Sequence, residues 1–361
     1  MSFILKNNGL IKISDNNEVL VADAEGRMMY YSFDNATYRR TLQNIFLKTY
    51  FVNHKRMVYQ LNENESRDIA KRFYEKTRNI LFKDSAERDF YGYLKSSSEK
   101  MENIYGSSIP IVPPDQYFSI YIRITNGCSW NKCVFCDLYK NQKYSVVDFS
   151  SLKKEINEIN NYFGDSIMAR KSVFLGDANA ININNNVLIE YLKYIHEVYN
   201  LDIYSFMDVF TTDKTKKLND FIQMRANGVK RLYIGLESGN ENVLKLLNKN
   251  IDVNNAINFI NTVKSSGINV GIIILIGAGG VKNYHNHVRG TVNFIKKLSL
   301  DRGDIIYLSR LVEYDEYQKN SSINGIVSLT SDEGESQVQE FKKLLNTDAK
   351  IAEYDIKEAL Y

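Results

Sequence analysis

The strongest constraint on the fold is a regular alternation of strand-like and helix-like segments that runs from residue 115 to residue 312. Short apolar runs alternate there with longer stretches whose apolar residues recur every three or four positions, which predicts six consecutive β/α units. This order predicts a parallel sheet with helices outside it, because parallel strands need crossover connections. An open doubly wound sheet and a partial barrel both fit, and both place the reactive site at the carboxyl ends of the strands. The strands are predicted at residues 117–125, 172–176, 203–210, 231–237, 269–277 and 304–311.

The N-terminal part of the chain has a different order, with strands first and helices after them. Residues 10–33 predict short strands separated by Asp-Asn-Asn and Glu-Gly turns, and residues 37–51 and 67–82 predict helices. Such an order is typical of a small α+β region.

The three prolines of the chain lie together, just before the alternating region begins. They are Pro110, Pro113 and Pro114. Proline fixes φ and removes a hydrogen-bond donor, so the cluster indicates an extended boundary segment. We therefore predict an N-terminal α+β accessory region (1–110), a core (115–312) and a C-terminal extension that caps the site (313–361). That extension is predicted to contain a helix over 335–345, with Ser331 as its N-cap.

Charge and composition exclude several classes of protein. The chain has 361 residues, 46 Lys and Arg and 43 Asp and Glu, which gives a formal charge of +3. A charge this small gives no strong nucleic-acid signal. No stretch reaches the roughly 18 apolar residues that a membrane span needs, so no membrane partner is expected. The odd number of cysteines argues against the disulfide framework of a secreted protein, and we expect a cytoplasmic one.

All three cysteines lie within nine residues, in the segment GCSWNKCVFC that follows the first strand of the alternating region. Cys128, Cys133 and Cys136 are separated by four and two residues, and in a reducing compartment such a group indicates metal binding. Three thiolates on a [4Fe–4S] cluster would leave one iron open. Two alternatives stay open, namely zinc with an additional ligand from elsewhere and three buried cysteines without a metal.

The segment GCSWNKCVFCDLYK resembles the cluster loop of the radical S-adenosylmethionine (SAM) superfamily, in which the commonest spacing is three and then two residues. The resemblance covers about residues 115–312 and is closest to the MiaB/NifB-type and coproporphyrinogen-oxidase-like branch. It implies a partial (β/α)6 TIM-like barrel with a small N-terminal α+β accessory region and a C-terminal helical tail. It also implies two cofactors, a [4Fe–4S] cluster and S-adenosyl-L-methionine.

The resemblance further assigns SAM-binding roles to residues at the ends of the first three strands. Phe135 would lie near the adenine, and Gly176 would allow close approach of the backbone to the ligand. Asp177 would accept from the methionine amine, although the family places glutamate there and backbone carbonyls could hold the amine instead. Ser205 is a weaker candidate at the end of the third strand, where a structural role is favoured.

The fourth and fifth strands carry the remaining SAM-binding candidates. The segment GLESG resembles the ribose-binding motif of the family, which implies that Glu237 would bind the ribose hydroxyls with support from Ser238. The resemblance also implies that Lys249 would be the basic partner of the methionine carboxylate. Ile274 and Gly277 would flank the adenine, with further glycines at 279 and 280 that let the chain turn. His285 and His287 are expected on a polar loop or helix start.

The implied chemistry is reductive cleavage of SAM to a 5′-deoxyadenosyl radical, which abstracts hydrogen from a substrate. A flavodoxin- or ferredoxin-like protein would supply the electron. The absence of a second cysteine group from the sequence favours a small-molecule substrate, and queuine, cleaved to release a 7-deazaguanine base, is one candidate. Radical oxidation or decarboxylation of another metabolite and a zinc-stabilised binding module are the alternatives. No catalytic residue is assigned, and the substrate-contact candidates are Asp137, Tyr139, Arg310, Glu313, Asp315 and Glu316.

Overall fold

The computed structural model describes residues 3–15, 17–53, 55–82, 89–106 and 109–356. Within them the chain divides into two compact units. The first contains the residues up to Ser119 together with Lys153–Lys171, and the second contains Ile120–Leu152 and Ser172–Ile356. The domain boundaries derived from the sequence do not anticipate the grouping of Lys153–Lys171 with the N-terminal residues, and they stay predictions.

The first unit is built on an antiparallel sheet in which each strand pairs with the next along the chain. Side chains alternate between the core and the outer face, as in β5, where Ala36, Tyr38 and Arg40 are buried. Within the described residues the strands are β1 (Phe3–Asn7), β2 (Leu10–Asp15), β3 (Glu18–Asp23), β4 (Met28–Phe33), β5 (Ala36–Arg40), β6 (Phe46–Val52) and β7 (Lys55–Gln60).

The helix predicted at residues 37–51 is wrong, because β5 and β6 occupy that segment and pair with each other. Tyr38 is buried there together with Ala36 and Arg40, at the two-residue period of strands. The segment is rich in aromatic and β-branched residues, which favour strands. The helix predicted at residues 67–82 is confirmed.

Two helices complete the core of the first unit. They are α1 (Glu63–Leu81) and α2 (Phe90–Tyr105). Asn62 and Glu65 form a capping box that begins α1, and Phe73 and Phe90 bring the two helices together over the sheet with stacked rings 5.9 Å apart.

The second unit contains a parallel sheet with the order β16-β15-β14-β13-β12-β11-β8. The six predicted strand–helix units, and with them the partial (β/α)6 TIM-like barrel, are confirmed. Between residues 109 and 356 the strands are β8 (Ser119–Arg123), β9 (Thr125–Asn126), β10 (Ser145–Val146), β11 (Ser172–Gly176), β12 (Ile203–Met207), β13 (Val229–Glu237), β14 (Asn269–Ile276), β15 (Ile305–Arg310) and β16 (Lys350–Tyr354).

Helices connect these strands, as the parallel order requires. They are α3 (Phe149–Phe163), α4 (Asn185–Tyr199), α5 (Val209–Thr215), α6 (Leu218–Ala226), α7 (Glu241–Leu246), α8 (Val253–Ser265), α9 (Gly280–Ile295), α10 (Asp315–Ile323) and α11 (Ser331–Leu344). Short 3₁₀ turns lie at Pro114–Gln116, before β8, and at Gly164–Ala169, after α3; both turns and most of α3 are grouped with the first unit.

The C-terminal extension differs from the helical tail expected from the sequence. Up to residue 356 it contains the helices α10 and α11, and the last element described there is β16, which pairs with β15 as a seventh parallel strand. The N-cap of α11 is Thr330, one residue before the predicted Ser331, and its hydroxyl accepts from the Glu333 amide. Among the described helices, none combines the length and the hydropathy that crossing a membrane requires.

Candidate active site

The cysteine loop begins where β8 ends, at the carboxyl edge of the parallel sheet. The short strands β9 and β10 pair with each other, so Asn126 lies opposite Ser145 and the loop is closed at its base. This position agrees with the general rule that reactive groups of α/β folds follow the carboxyl ends of strands.

The end of α7 holds the cysteine loop through three hydrogen bonds. The Val134 amide donates to the Leu247 carbonyl at 3.2 Å. The Trp130 indole donates to the Asn248 carbonyl at 3.2 Å, and the Asn248 side chain donates to the Lys132 carbonyl at 2.8 Å. These bonds fix the loop segment that contains Cys133.

The three cysteines are free thiols, each partly exposed. Burial raises the pKa of Cys133 to about 12, and the neighbouring Cys136 adds to that rise while Lys249 opposes it. Burial also raises the pKa of the Cys136 thiol. The thiols therefore lie close enough to repel each other's negative charge, and the Lys249 cation lies near both Cys133 and Cys136.

This donor set fits a polynuclear iron–sulfur cluster. Three thiols on one loop match the number of protein ligands that leave one iron open. Within the described part of the chain no three Cys, His, Asp or Glu side chains are close enough to hold a single metal ion.

Glu237 and Lys249 form a buried ion pair beside the loop. Lys249 Nζ lies 2.6 Å from Glu237 Oε1, with side chains that are 9% and 7% exposed. Lys249 also lies 5.7 Å from the centre of the Phe135 ring. A Cβ atom at Gly235 would collide with the Glu237 carboxylate and lie 2.8 Å from Lys249 Nζ, so glycine makes room for the pair. The predicted SAM residues Phe135, Glu237 and Lys249 are thus brought together.

Asp177 lies at the end of β11 with both carboxylate oxygens engaged. The Tyr121 hydroxyl donates to Oδ1 at 2.5 Å, and the Gly127 amide donates to Oδ2 at 2.8 Å. Burial raises the pKa of the Asp177 carboxyl, and these two bonds oppose the rise. Asp177 therefore joins β11 to β8 and to the start of the cysteine loop, and its predicted contact with the methionine amine stays a prediction.

Gly176 and Ser205 support the same part of the sheet. A Cβ atom at Gly176 would collide with the Tyr121 ring, which lies against the backbone there. The fully buried Ser205 hydroxyl donates to the Leu175 carbonyl at 3.1 Å. Ser205 therefore joins β12 to β11, and its candidate role at the SAM site stays a prediction.

The residues predicted to flank the adenine lie at the end of β14. Ile274 is buried and pairs in register with Glu237 across a shift in the ladder that follows Gly235. Gly277 has a φ of +89°, and its amide donates to the buried Gln337 side chain at 2.8 Å. Ile274 lies within the strand, and the backbone turns at Gly277, where the sequence placed the first of the glycines that let the chain turn.

The substrate-contact candidates are only partly brought together. A cavity of about 400 Å³ is lined by Val134, Cys136, Asp137, Tyr314, Asp315, Glu316 and Lys319. Arg310 lies elsewhere, in an ion pair with Glu335 at 2.6 Å. Glu313 accepts from the Ser328 hydroxyl at 2.7 Å. Tyr139 is buried rather than on the cavity wall.

Sequence reasoning missed several residues that organise the site. Asn179 donates to Asp208 at 2.7 Å and to Thr211 at 3.1 Å, which joins the loop after β11 to the start of α5. Burial raises the pKa of the Asp208 carboxyl, while Lys249 lowers it from a distance. His287 is fully buried in α9, not on a polar loop, whereas His285 is exposed. The position of His287 on the apolar face of α9 could have revealed that its side chain is buried.

A comparison with protein-family models matches the region that contains the cysteine loop. Residues 122–292 match the family model described as the radical SAM superfamily. None of the curated proteins compared with the chain matches it.

Several solved structures resemble the chain. Coproporphyrinogen III oxidase from Escherichia coli, a radical SAM enzyme, is similar with 17% identity and a TM-score of 0.46, over 63% of this chain and 52% of that chain. Methylornithine synthase is similar with 14% identity and a TM-score of 0.46, over 81% and 75% of the two chains. The radical SAM methyltransferase TsrM from Kitasatospora setae is similar with 13% identity and a TM-score of 0.41, over 53% and 36%. The chain thus spans less than two thirds of the oxidase and of TsrM.

Proposed function

This chain belongs to the radical SAM superfamily, and from that premise we propose that it acts on a small polar molecule bound beside the cysteine loop. Enzymes of this superfamily use a [4Fe–4S] cluster and SAM. When bound, these groups supply the one-electron cleavage that yields a 5′-deoxyadenosyl radical, which abstracts hydrogen from the substrate.

The residues of this chain would hold and orient both groups. Cys128, Cys133 and Cys136 would bind three irons of the cluster. The Glu237 carboxylate would accept from the ribose hydroxyls, and Lys249 would bind the methionine carboxylate, each a charge-assisted contact in a buried place. The three free thiols also favour a reducing, cytoplasmic location.

The cavity beside Cys136 is the single observation that carries the substrate proposal. Asp137, Asp315 and Glu316 line it, together with Lys319. Carboxylates accept hydrogen bonds, so they would bind an amine or the donor edge of a base. A cavity of about 400 Å³ suits a small molecule.

Anaerobic reconstitution with iron and sulfide tests the family chemistry in this chain. We expect about four irons per chain, a brown colour, and 5′-deoxyadenosine formed from SAM on addition of dithionite. The variant with all three cysteines changed to alanine should bind no cluster. Equal iron content and equal 5′-deoxyadenosine yield in that variant would refute the proposal.

Queuine is a specific candidate for the substrate. The amino edge of its 7-deazaguanine ring would donate to carboxylates such as Asp137 and Asp315, and its cleavage would release the base. Incubation of the reconstituted enzyme with queuine, SAM and dithionite, followed by mass spectrometry, tests this candidate. Unchanged queuine alongside 5′-deoxyadenosine formation would favour the alternative, oxidation or decarboxylation of another small metabolite.

An acidic one-electron donor protein, of the flavodoxin or ferredoxin kind, is the proposed partner. Lys132, Lys214 and Lys245 are exposed, and none of them forms an ion pair within the described residues. Contacts of Trp130 place the three lysines in one region. The Trp130 ring packs against Phe210, which lies one helical turn before Lys214. The Trp130 indole donates a hydrogen bond to the carbonyl of Asn248, which lies three residues after Lys245. Exposed cations near Trp130 that form no ion pair among the described residues would steer an acidic donor towards the cluster.

Charge reversal at Lys132 separates this partner from the chemistry. K132E should slow 5′-deoxyadenosine formation supported by a reduced flavodoxin and leave the dithionite-supported rate unchanged. K296E, at the far end of α9, is the matched control and should change neither rate. Equal flavodoxin-supported rates in K132E and K296E would exclude this docking surface.

A further inference from the structure

The turn that follows β13 has an unusual backbone conformation at a functional residue. Glu237 has a φ of +62°, in the left-handed region that residues with a side chain seldom adopt. The ladder between β13 and β14 shifts register at this point, between Gly235 and Glu237. A non-glycine residue keeps such a conformation only when its surroundings impose it.

Helix α9 supplies two polar contacts to this turn. His287 Nδ1 lies 2.8 Å from the Ser238 hydroxyl, and the Gly239 amide donates to Thr291 Oγ1 at 2.8 Å. His287, Thr291 and Ser238 are all fully buried. The Ser238 hydroxyl also accepts from the Asn240 amide at 3.0 Å, so every residue from 238 to 240 is held.

Close backbone packing strengthens this attachment. A Cβ atom at Gly239 would lie 2.5 Å from the Gly290 carbonyl oxygen, and one at Gly290 would lie 3.0 Å from the Gly239 oxygen. The two glycines therefore let α9 approach the turn so closely that Thr291 can reach the Gly239 amide.

The contacts between α9 and residues 238 and 239 determine where the Glu237 carboxylate points. From its left-handed backbone the side chain reaches Lys249, 2.6 Å away, across the space that Gly235 leaves open. A relaxed φ at Glu237 would turn the side chain away from Lys249, because the direction of Cβ follows the backbone. The ion pair and the turn are thus one geometric unit.

We propose that His287 and Thr291 are positioning residues that hold Glu237 in its left-handed conformation and thereby aim its carboxylate at the SAM site. This inference rests on the proposed function, in which Glu237 binds SAM. Neither residue touches the ligand, and both act through residues 238 and 239. Burial lowers the pKa of His287 to about 4, so the ring is neutral near pH 7 and needs no counter-ion.

Thr291→Val is the sharpest test, because valine keeps the shape and loses the oxygen that accepts from Gly239. Thr291→Ser keeps the oxygen and is the matched control. In the reconstituted protein, equilibrium dialysis should show SAM binding about tenfold weaker in T291V, the scale of one lost buried hydrogen bond. Hydrogen exchange at the Gly239 amide should become faster in T291V, while T291S stays close to wild type in both measurements.

His287 provides a second, independent pair of variants. His287→Asn keeps a polar atom near the position of Nδ1, and His287→Leu removes it. We expect H287N to bind SAM more tightly than H287L, at equal iron content. This rescue distinguishes positioning from packing, because a packing role would follow side-chain volume and favour leucine.

The outcomes separate this inference from the proposed function. Wild-type protein that carries a cluster and fails to bind SAM overturns both. Wild-type protein that binds SAM, with T291V unchanged in SAM affinity or in exchange at Gly239, overturns the positioning role alone. Equal losses in T291V and T291S also overturn it.

Discussion

Replacing Lys249 by methionine removes the positive charge beside Glu237 and keeps an unbranched side chain. Burial opposes a charge at this site, but Glu237 raises the pKa of the Lys249 ammonium, so the lysine is cationic at neutral pH. The side chains are 9% and 7% exposed, and water cannot replace the lost partner. Removing one member of a buried ion pair costs about 3–5 kcal/mol in the free energy of unfolding.

A second ion pair of the same length provides the control. Lys342 Nζ and Glu353 Oε1 are also 2.6 Å apart, but their side chains are 38% and 45% exposed. Exposed pairs contribute about 0–1 kcal/mol, since water and salt screen them. K342M should therefore lower the free energy of unfolding far less than K249M does.

Urea unfolding at pH 7, followed by circular dichroism, measures both variants against wild type. The double variant K249M/E237Q should recover part of the loss, because it leaves no unpaired charge behind. Losses in K249M and K342M that agree within error would refute the reasoning, since the two pairs have the same length and differ strongly in burial.

Three further changes test other parts of the structure. Burial raises the pKa of the Asp177 carboxyl in the folded protein, so ionisation of this group opposes folding. The free energy of unfolding of the wild type should therefore fall relative to that of D177N as the pH rises from about 4 through the raised pKa. A difference between the two proteins in urea unfolding that does not change with pH would contradict this. Gly271→Ala should lower the free energy of unfolding by about 1–3 kcal/mol, because the new Cβ would lie 2.8 Å from Tyr233 Cε1, and an unchanged urea midpoint would count against it. Thr330→Ala should cost about 0.5–2 kcal/mol through loss of the α11 cap, whereas T330S should cost little.

Local pattern in the sequence was enough to predict most of the parallel sheet. Strand β11 has the predicted bounds, and β14 matches its prediction to within one residue, because buried parallel strands are continuous apolar runs with glycine at their ends. The short strand β16 was missed. Its five residues, Lys350–Tyr354, become a strand by pairing with β15 residues that lie 45 positions earlier, and local pattern does not contain that pairing.

The residues of the candidate site likewise fall into those that the sequence could predict and those that it could not. The cysteines, Glu237 and Lys249 could be predicted because motif spacing carries them. The role of Gly235 could not, because it depends on two side chains that meet only in the folded sheet. His287 was expected on a polar loop or helix start because the segment NYHNHV around it is polar, whereas α9 begins at Gly280 and turns His287 inwards.

The hydrogen bonds between the cysteine loop and α7 have a consequence for the order of biosynthetic assembly. They involve backbone groups, Trp130 and Asn248, and no thiol takes part in them. In a zinc finger the metal supplies the folding free energy, and the metal-free chain is unfolded. Here hydrogen bonds of the polypeptide hold the loop without any thiol, so we expect the newly made chain to fold first and then to present three thiols to the machinery that delivers iron and sulfide.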